Sequence, residues 1–318
     1  MCGHSMSLSQ EEIVKNIARD VGFSLVGIAS LEPDPRSNDA FARWLDAGMH
    51  GDMVYLERHR PLREDASALL PGARSAVCVA LNYYQDVELS QREMDGSDGH
   101  GRFSIYVHGD DYHAVMTRML EELESRLHLA FPDAGTLACC DTQPVSDRSL
   151  ALRSGIAWLG KNTNVISPDY GSWIFLGEVL TTLELQPDEP LTTLCGKCTR
   201  CIDACPTGAL DTPFALDARK CISYLTIEKR GEIDPQLASK IGIDVYGCDT
   251  CQSVCPFNRV ASESLVFFRG DRSPLVDMTL DELSTISDDE FREQTKGSAI
   301  RRCKAEGMRR NATLARVP

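Results

Sequence analysis

The sequence predicts an α/β (α+β) domain, then a small cysteine-rich domain, then a short helical and basic C-terminus. Three observations carry that prediction. Apolar runs of strand length alternate with helical patterns of ten or more residues up to about Leu185. Eight of the 13 cysteines then fall in the 63 residues from Cys195 to Phe257. From Met278 onward the apolar spacing is helical and basic residues gather. The expected domains are 1–186, 187–262 and 263–318, with Pro187 and Pro190 marking the linker.

The elements follow in order. Ser9-Gln10-Glu11-Glu12 reads as a capping box, with Ile13, Ile17 and Val21 at helical spacing behind it, so a helix opens the fold. Residues 23–29 read as a strand and Pro33-Asp34-Pro35 as a break. Residues 75–84 form a strongly apolar strand, and residues 85–101, polar and without periodicity, a surface loop. From His113 to Leu129 the residues Val115, Met119, Leu123 and Leu127 recur every four positions and predict a long helix. Residues 137–141 read as a strand, 148–159 as helix, and 165–167 and 173–183 as strands.

Composition sets bounds. With 318 residues, 42% hydrophobic and 25% charged, the chain has the length and balance of a globular protein with a sizeable core. No apolar run reaches the ~18 residues of a membrane span, and residues 1–9 lack the charged and apolar regions of an export signal. A cytoplasmic monomer without membrane contact is the expectation. The 33 Lys and Arg against 47 Asp and Glu leave a net charge of −14, which argues against indiscriminate nucleic-acid binding. Between Lys296 and Pro318, however, seven basic residues face one acid. In so acidic a chain this stretch is a local footprint for phosphates, or else a solvated helix face.

Cysteine spacing carries the strongest chemistry. Cys195, Cys198, Cys201 and Cys205, followed by Pro206, form the C-x2-C-x2-C-x3-C-P run of bacterial ferredoxins, whose fourth cysteine serves the other of two 4Fe–4S clusters. Cys248, Cys251 and Cys255, followed by Pro256, form a second run short of one ligand, and Cys221 is available to complete it. One cluster is therefore assigned to Cys195, Cys198, Cys201 and Cys255, the other to Cys205, Cys221, Cys248 and Cys251. The central domain is thus expected to be ferredoxin-like with two clusters. Paired structural zinc sites are the alternative, since C-x2-C also suits tetrahedral zinc. Cys2, Cys78, Cys139, Cys140 and Cys303 remain; Cys78 reads as a small buried hydrophobe, and Cys139 and Cys140 point to opposite faces of a strand.

No G-x-G-x-x-G follows a strand, so spacing alone names no organic cofactor. Longer segments do. Asp141-Thr142-Gln143-Pro144-Val145, followed by residues 153–163 (Arg153-Ser154-Gly155-Ile156-Ala157-Trp158-Leu159-Gly160-Lys161-Asn162-Thr163), resembles a stretch of the epoxyqueuosine reductases. So do Gly48-Met49-His50-Gly51-Asp52, Leu70-Pro71-Gly72-Ala73-Arg74, Gly109-Asp110-Asp111-Tyr112-His113, Cys221-Ile222-Ser223-Tyr224 and Arg309-Arg310-Asn311-Ala312, in this order and around this cysteine pattern. The resemblance implies cobalamin held over the α/β domain, reduced through two 4Fe–4S clusters by a low-potential electron donor. The substrate it implies is tRNA, with the epoxide of epoxyqueuosine at the wobble position reduced to the alkene of queuosine.

Such a reaction needs two electrons and an acid for the departing oxygen. Asp141 closes an apolar strand and matches the family's proton donor, so it is the expected acid, with a pKa raised by burial beside the corrin. Its plainer role would be to cap the next helix. By the same resemblance Tyr106, Lys161, Asn162, Ser223 and Tyr224 join Asp141 as candidates for the cobalamin pocket. His113 reads as a helix-start or core histidine, and no D-x-H-x-x-G motif predicts a histidine ligand to cobalt. Arg301, Arg302, Lys304, Arg309 and Arg310 become the expected tRNA contacts. Gln143 stands where the family has glycine, which puts the turn beside Asp141 in question, and Cys140 stands where an apolar or aromatic residue is commoner. The sequence stops where longer members continue into a helical repeat domain. A reductive dehalogenase-like cobalamin enzyme and a two-cluster ferredoxin-type electron carrier are the rival readings.

Overall fold

A computed structural model describes residues 8–264 and 273–315. Cys2 and Arg316 lie outside the described residues. The first helix, α1 (Gln10–Val21), starts at the expected capping box: Ser9 Oγ accepts from the Glu12 N–H at 3.2 Å and Glu12 Oε2 accepts from the Ser9 N–H at 2.8 Å. It ends at Gly22, whose φ of 107° supplies the left-handed turn.

Four strands build the main sheet: β1 (Leu25–Ser30), β2 (Ser75–Asn82), β3 (Thr136–Cys139) and β4 (Ile174–Thr181), in the order β1-β2-β4-β3. Every pairing is antiparallel, with Cys78 opposite Gly27 on one side and opposite Glu178 on the other. Alternation of strand and helix along the chain does not fix strand direction, and the α+β form of the expected fold is the one realised. All eight residues of β2 are buried because the sheet is covered on both faces. On one face Val77, Val79 and Leu81 pack with Val14 and Ala18 of α1 and with Val115, Leu123 and Leu127 of the long helix α2 (Tyr112–Ala130). On the other, Ala76, Cys78 and Ala80 pack with Leu150 and Ala151 of α3 (Asp147–Arg153). Cys139 joins the second cluster and Cys140 the first, on opposite faces as their adjacency in a strand requires.

Two expectations change. Residues 85–101 contain a helix, Val87–Glu93, which is too short and polar to show apolar periodicity. The helix expected over 148–159 ends at Arg153, and Trp158–Leu159 pairs instead with Val165–Ile166 in a small hairpin.

The C-terminal part is knitted to the rest by a separate core. Phe103, Val107, Val245 and Tyr246 pack with Leu280, Leu283, Phe291 and Met308. Asn311, fully buried in α4 (Lys304–Leu314), donates to the carbonyls of Thr226 and Val245, both at 2.8 Å, so the last helix is fastened to the cysteine-rich region by a satisfied polar group. Among the described residues no helix is long and apolar enough to cross a membrane.

Candidate active site and cluster ligands

The loop after β3 carries Asp141 at a φ of 45°, an unusual conformation for a residue with a side chain. The loop is held locally. Gln143 Oε1 accepts from the Cys140 N–H at 3.0 Å and from Thr142 Oγ1 at 2.9 Å, while Arg63 donates to the Val145 carbonyl at 2.7 Å. Gln143 therefore closes the turn with its side chain, and the positive φ falls on Asp141 rather than on Gln143. Ser146, not Asp141, stands at the N-terminus of α3.

Asp141 meets the start of α2. Its Oδ2 accepts from the hydroxyl of Tyr112 and lies 3.3 Å from His113 Nε2. His113 Nδ1 is 2.7 Å from Asp111 Oδ1, and the same Asp111 caps α2 by accepting from the His113 N–H. Both ring nitrogens of His113 thus face carboxylates. Desolvation alone would lower the His113 pKa, but the bonds to Asp111 and Asp141 outweigh it and push it up to about 9. The bond from His113, aided by that from Tyr112 and by the charges of His113 and Arg63, overcomes desolvation and holds Asp141 below the usual carboxylate range. This corrects the expectation of a raised Asp141 pKa: the proton is stored on His113, one hydrogen bond away. Burial, followed by the nearby Asp141 charge, keeps Tyr112 protonated well above its ordinary range.

Aromatic rings floor the site. Tyr112 stacks on Phe175 of β4 at 4.5 Å with the planes 9° apart, and Phe175 stacks on Tyr83 at 4.3 Å. Tyr106 stands edge-on to Tyr112 at 6.1 Å, and its hydroxyl lies 3.3 Å from that of Tyr246. At the rim, Arg302 lies over the Tyr55 ring at 5.9 Å while pairing with Glu228 at 2.8 Å. Behind Asp141, Glu178 of β4 is fully buried with its carboxyl against that of Asp147. Desolvation, then the neighbouring charge of Asp147 and the hydrogen bond between the two carboxyls, raises its pKa well above the ordinary value. Sequence reasoning passed over Tyr112, Asp147 and Glu178; a glutamate inside the apolar run of β4 was the available signal.

The eight expected cysteines are all unpaired thiols. Cys201 is influenced by Cys255 and Cys195, and Cys255 by Cys195 and Cys198. Cys221 is influenced by Cys205, and Cys251 by Cys248, Cys221 and, across the gap between sets, Cys201. A small cavity of about 20 Å³ lies among Cys195, Cys198, Cys201 and Cys255. Burial raises the thiol pKa of Cys221, Cys201 and Cys255, and nearby backbone N–H groups oppose it: those of Tyr224 and Ser223 for Cys221, of Ile202 for Cys201, and of Phe257 and Asn258 for Cys255. Such N–H groups stabilise bridging thiolates in iron–sulfur loops.

The remaining candidates divide. Lys161 donates to the carbonyls of Gly196 and Cys198 at 2.7 and 2.9 Å, and Asn162 to that of Cys251 at 3.3 Å, so both brace the cysteine loops. Tyr224 is buried, and its hydroxyl accepts from the Asp52 N–H at 2.7 Å; Ser223 sits beside it on the helix Ile222–Ile227. Arg310 spends its guanidinium on the carbonyls of Lys229, Gly231 and Leu225, and Arg309 on Asp288 and the Ile286 carbonyl. Those two fasten the C-terminus while staying partly exposed, whereas Arg301 and Lys304, also expected as tRNA contacts, are exposed.

Fold and thiol sets together define an iron–sulfur oxidoreductase whose α+β domain presents a hydrogen-bonded acid on an aromatic floor. Residues 194–258 match the model of the 4Fe-4S double cluster binding domain, and residues 63–142 match that of "Epoxyqueuosine reductase QueG, DUF1730". The epoxyqueuosine reductase of Gloeobacter violaceus is 42% identical over 308 residues, covering 95% of this chain and 94% of that protein. A selenomethionine-labelled epoxyqueuosine reductase crystal structure superposes with a TM-score of 0.84 at 32% identity, covering 96% of this chain and 80% of that one. A second, containing an epoxyqueuosine-modified tRNA-Tyr stem loop, superposes with a TM-score of 0.82 at 32% identity and the same coverage. The chain belongs to the epoxyqueuosine reductase family.

Proposed function

We propose that this protein reduces the epoxide of epoxyqueuosine at the wobble position of tRNA to the alkene of queuosine, releasing the oxygen as water. The observation that carries the reading is the Tyr112–Asp141–His113 constellation on an aromatic floor beside two thiol sets suited to 4Fe–4S clusters. Family membership and the tRNA stem loop bound by a relative support it.

Deoxygenation of an epoxide consumes two electrons and two protons. Cobalamin, implied by the family, supplies a strongly reducing cobalt centre when bound. The partly exposed rings of Tyr106, Tyr112 and Phe175 suit its broad, largely apolar face, with Asp141 at their edge. His113, engaged at both nitrogens, is not free to bind cobalt. Asp141 Oδ2 receives the stored proton from His113 and presents it to the departing oxygen, with Tyr112 fixing the carboxylate. The cysteine sets, braced by Lys161 and Asn162, hold the clusters that feed electrons inward. Arg301, Arg302 and Lys304 are the residues we assign to tRNA phosphates, with Arg302 and Tyr55 at the rim. A tRNA substrate places the protein in the cytoplasm.

The test is direct. Enzyme carrying clusters and cobalamin, given a chemical reductant and an epoxyqueuosine-containing stem loop, is expected to convert it to a product lighter by one oxygen. Asp141→Asn, with both cofactors retained, is expected to lose at least 100-fold in rate, the scale of a positioned acid. Normal turnover by that variant would refute the role.

A further inference from the structure

The two thiol sets meet the surface differently. Cys251 of the second set lies inward, with Asn162 on its carbonyl and Tyr83 of the aromatic floor within reach of its charge. The first set opens outward. Residues 191–194 before Cys195 are exposed, and Lys197 is exposed between Cys195 and Cys198. Against Cys255 lies a hollow of about 860 Å³, lined by Arg92, Arg200 and Arg259 with Asp203 as its one acid. All three arginines are exposed. Two large apolar side chains flank this region and face solvent, Leu194 at 58% and Val260 at 57% exposure.

In a chain of net charge −14, three arginines around one hollow are a local reversal of sign. Exposed Leu and Val beside arginines give the mixed character of a transient protein interface, in which charge guides encounter and a few apolar contacts hold it. The hollow touches the cluster ligand Cys255, and neither Asp141, Tyr112 nor His113 lines it. Nothing in the proton chemistry uses it.

We propose that the face formed by Arg92, Arg200, Arg259, Leu194 and Val260 docks an acidic one-electron carrier protein that reduces the cluster held by Cys195, Cys198, Cys201 and Cys255. The proposal rests on the cluster-dependent reaction of the preceding section. In each encounter the carrier loses one electron and the cluster gains one, with no bond made or broken and no proton moved. Two encounters supply the two electrons of one epoxide. The general negative charge keeps unrelated acidic proteins away, and the arginine face reverses that only where an electron can enter.

The experiment compares cluster-loaded wild type with Arg200→Glu/Arg259→Glu, using flavodoxin as the acidic carrier. Affinity for oxidised flavodoxin is measured by NMR titration, and cluster reduction by photoreduced flavodoxin by stopped-flow absorbance. Reduction by dithionite, a small reductant, checks that the clusters are intact. The double variant is expected to bind at least tenfold more weakly at low salt and to be reduced at least tenfold more slowly, with an unchanged dithionite rate. High salt is expected to bring wild type down toward the variant. Lys240→Glu, an exposed charge elsewhere, is expected to change neither. If the glutamates cost the protein its clusters, Arg200→Gln/Arg259→Gln replaces them, with an expected loss of about threefold in affinity. Affinity and flavodoxin rate within twofold of wild type in a cluster-intact variant overturn the proposal. Normal reduction by flavodoxin without turnover of epoxyqueuosine would instead fault the substrate reading and leave the docking face standing.

Discussion

Replacing His113 by glutamine tests the proton store at Asp141. Folding moves the His113 pKa from 6.5 to about 9, because it lies between Asp111 at 2.7 Å and Asp141 at 3.3 Å. A shift of that size corresponds to about 3.4 kcal/mol at 1.36 kcal/mol per pKa unit. His113 is 35% exposed, so water screens the pairs, and a net contribution of about 1–2 kcal/mol is the expectation. Because the folded pKa lies above the unfolded one, this stability is complete below about pH 6.5, fades between 6.5 and 9, and is absent above. Asp141 and Asp111, both lowered, contribute in the opposite sense, losing their share as pH falls through the carboxylate range. Urea denaturation of wild type and His113→Gln is expected to differ by about 1–2 kcal/mol near pH 6 and by little near pH 9.5. Turnover by wild type is expected to fall as pH rises past about 9, where the stored proton is lost. An equal difference at both pH values, or a His113 ring titrating near its ordinary value by NMR, would refute the reasoning.

Other perturbations probe separate parts. Gly51 has a φ of 60°, and a Cβ there would lie 2.5 Å from Tyr224 Oη; Gly51→Ala is expected to cost about 2–3 kcal/mol in urea denaturation, through backbone strain and loss of the Tyr224–Asp52 bond. Cys201→Ala and Cys221→Ala belong to different thiol sets, and each is expected to halve the iron bound per chain while leaving the other cluster's electron paramagnetic resonance signal. Glu178 has a raised pKa, so wild-type stability is expected to decline relative to Glu178→Gln as pH rises above about 4.3, the reverse of the usual carboxylate trend. Parallel denaturation curves from pH 5 to 8 would contradict the raised pKa of Glu178.

Much of this molecule was legible in advance where the determinant is local. The Ser9–Glu12 capping box and the four-residue apolar spacing of α2 depend only on neighbours in sequence, and the structure contains both. The double-cluster domain was legible because the cysteine runs are short and local, and residues 194–258 match such a domain. What escaped was made by long-range contact. Tyr112 and His113 lie 29 and 28 residues from Asp141, and only the packing of α2 beside β3 brings them together. That contact reversed the expected pKa of Asp141. Strand direction was equally hidden, since alternating elements serve parallel and antiparallel sheets alike. The carbonyl partners of Arg309 and Arg310, supplied from residues 225–231 and 286, were hidden too, because a charge count carries no long-range contacts. Gln143 looked disruptive because its side chain's bonds to Cys140 and Thr142 cannot be read from a glycine pattern.

The central claim is the reduction of epoxyqueuosine in tRNA, and nucleoside mass spectrometry of bulk tRNA tests it most directly. Cells lacking this gene are expected to accumulate a queuosine heavier by one oxygen. Restoring the wild-type gene is expected to remove it, and restoring Asp141→Asn is expected not to. Unchanged queuosine in the deletion strain, or full rescue by Asp141→Asn, would contradict the account.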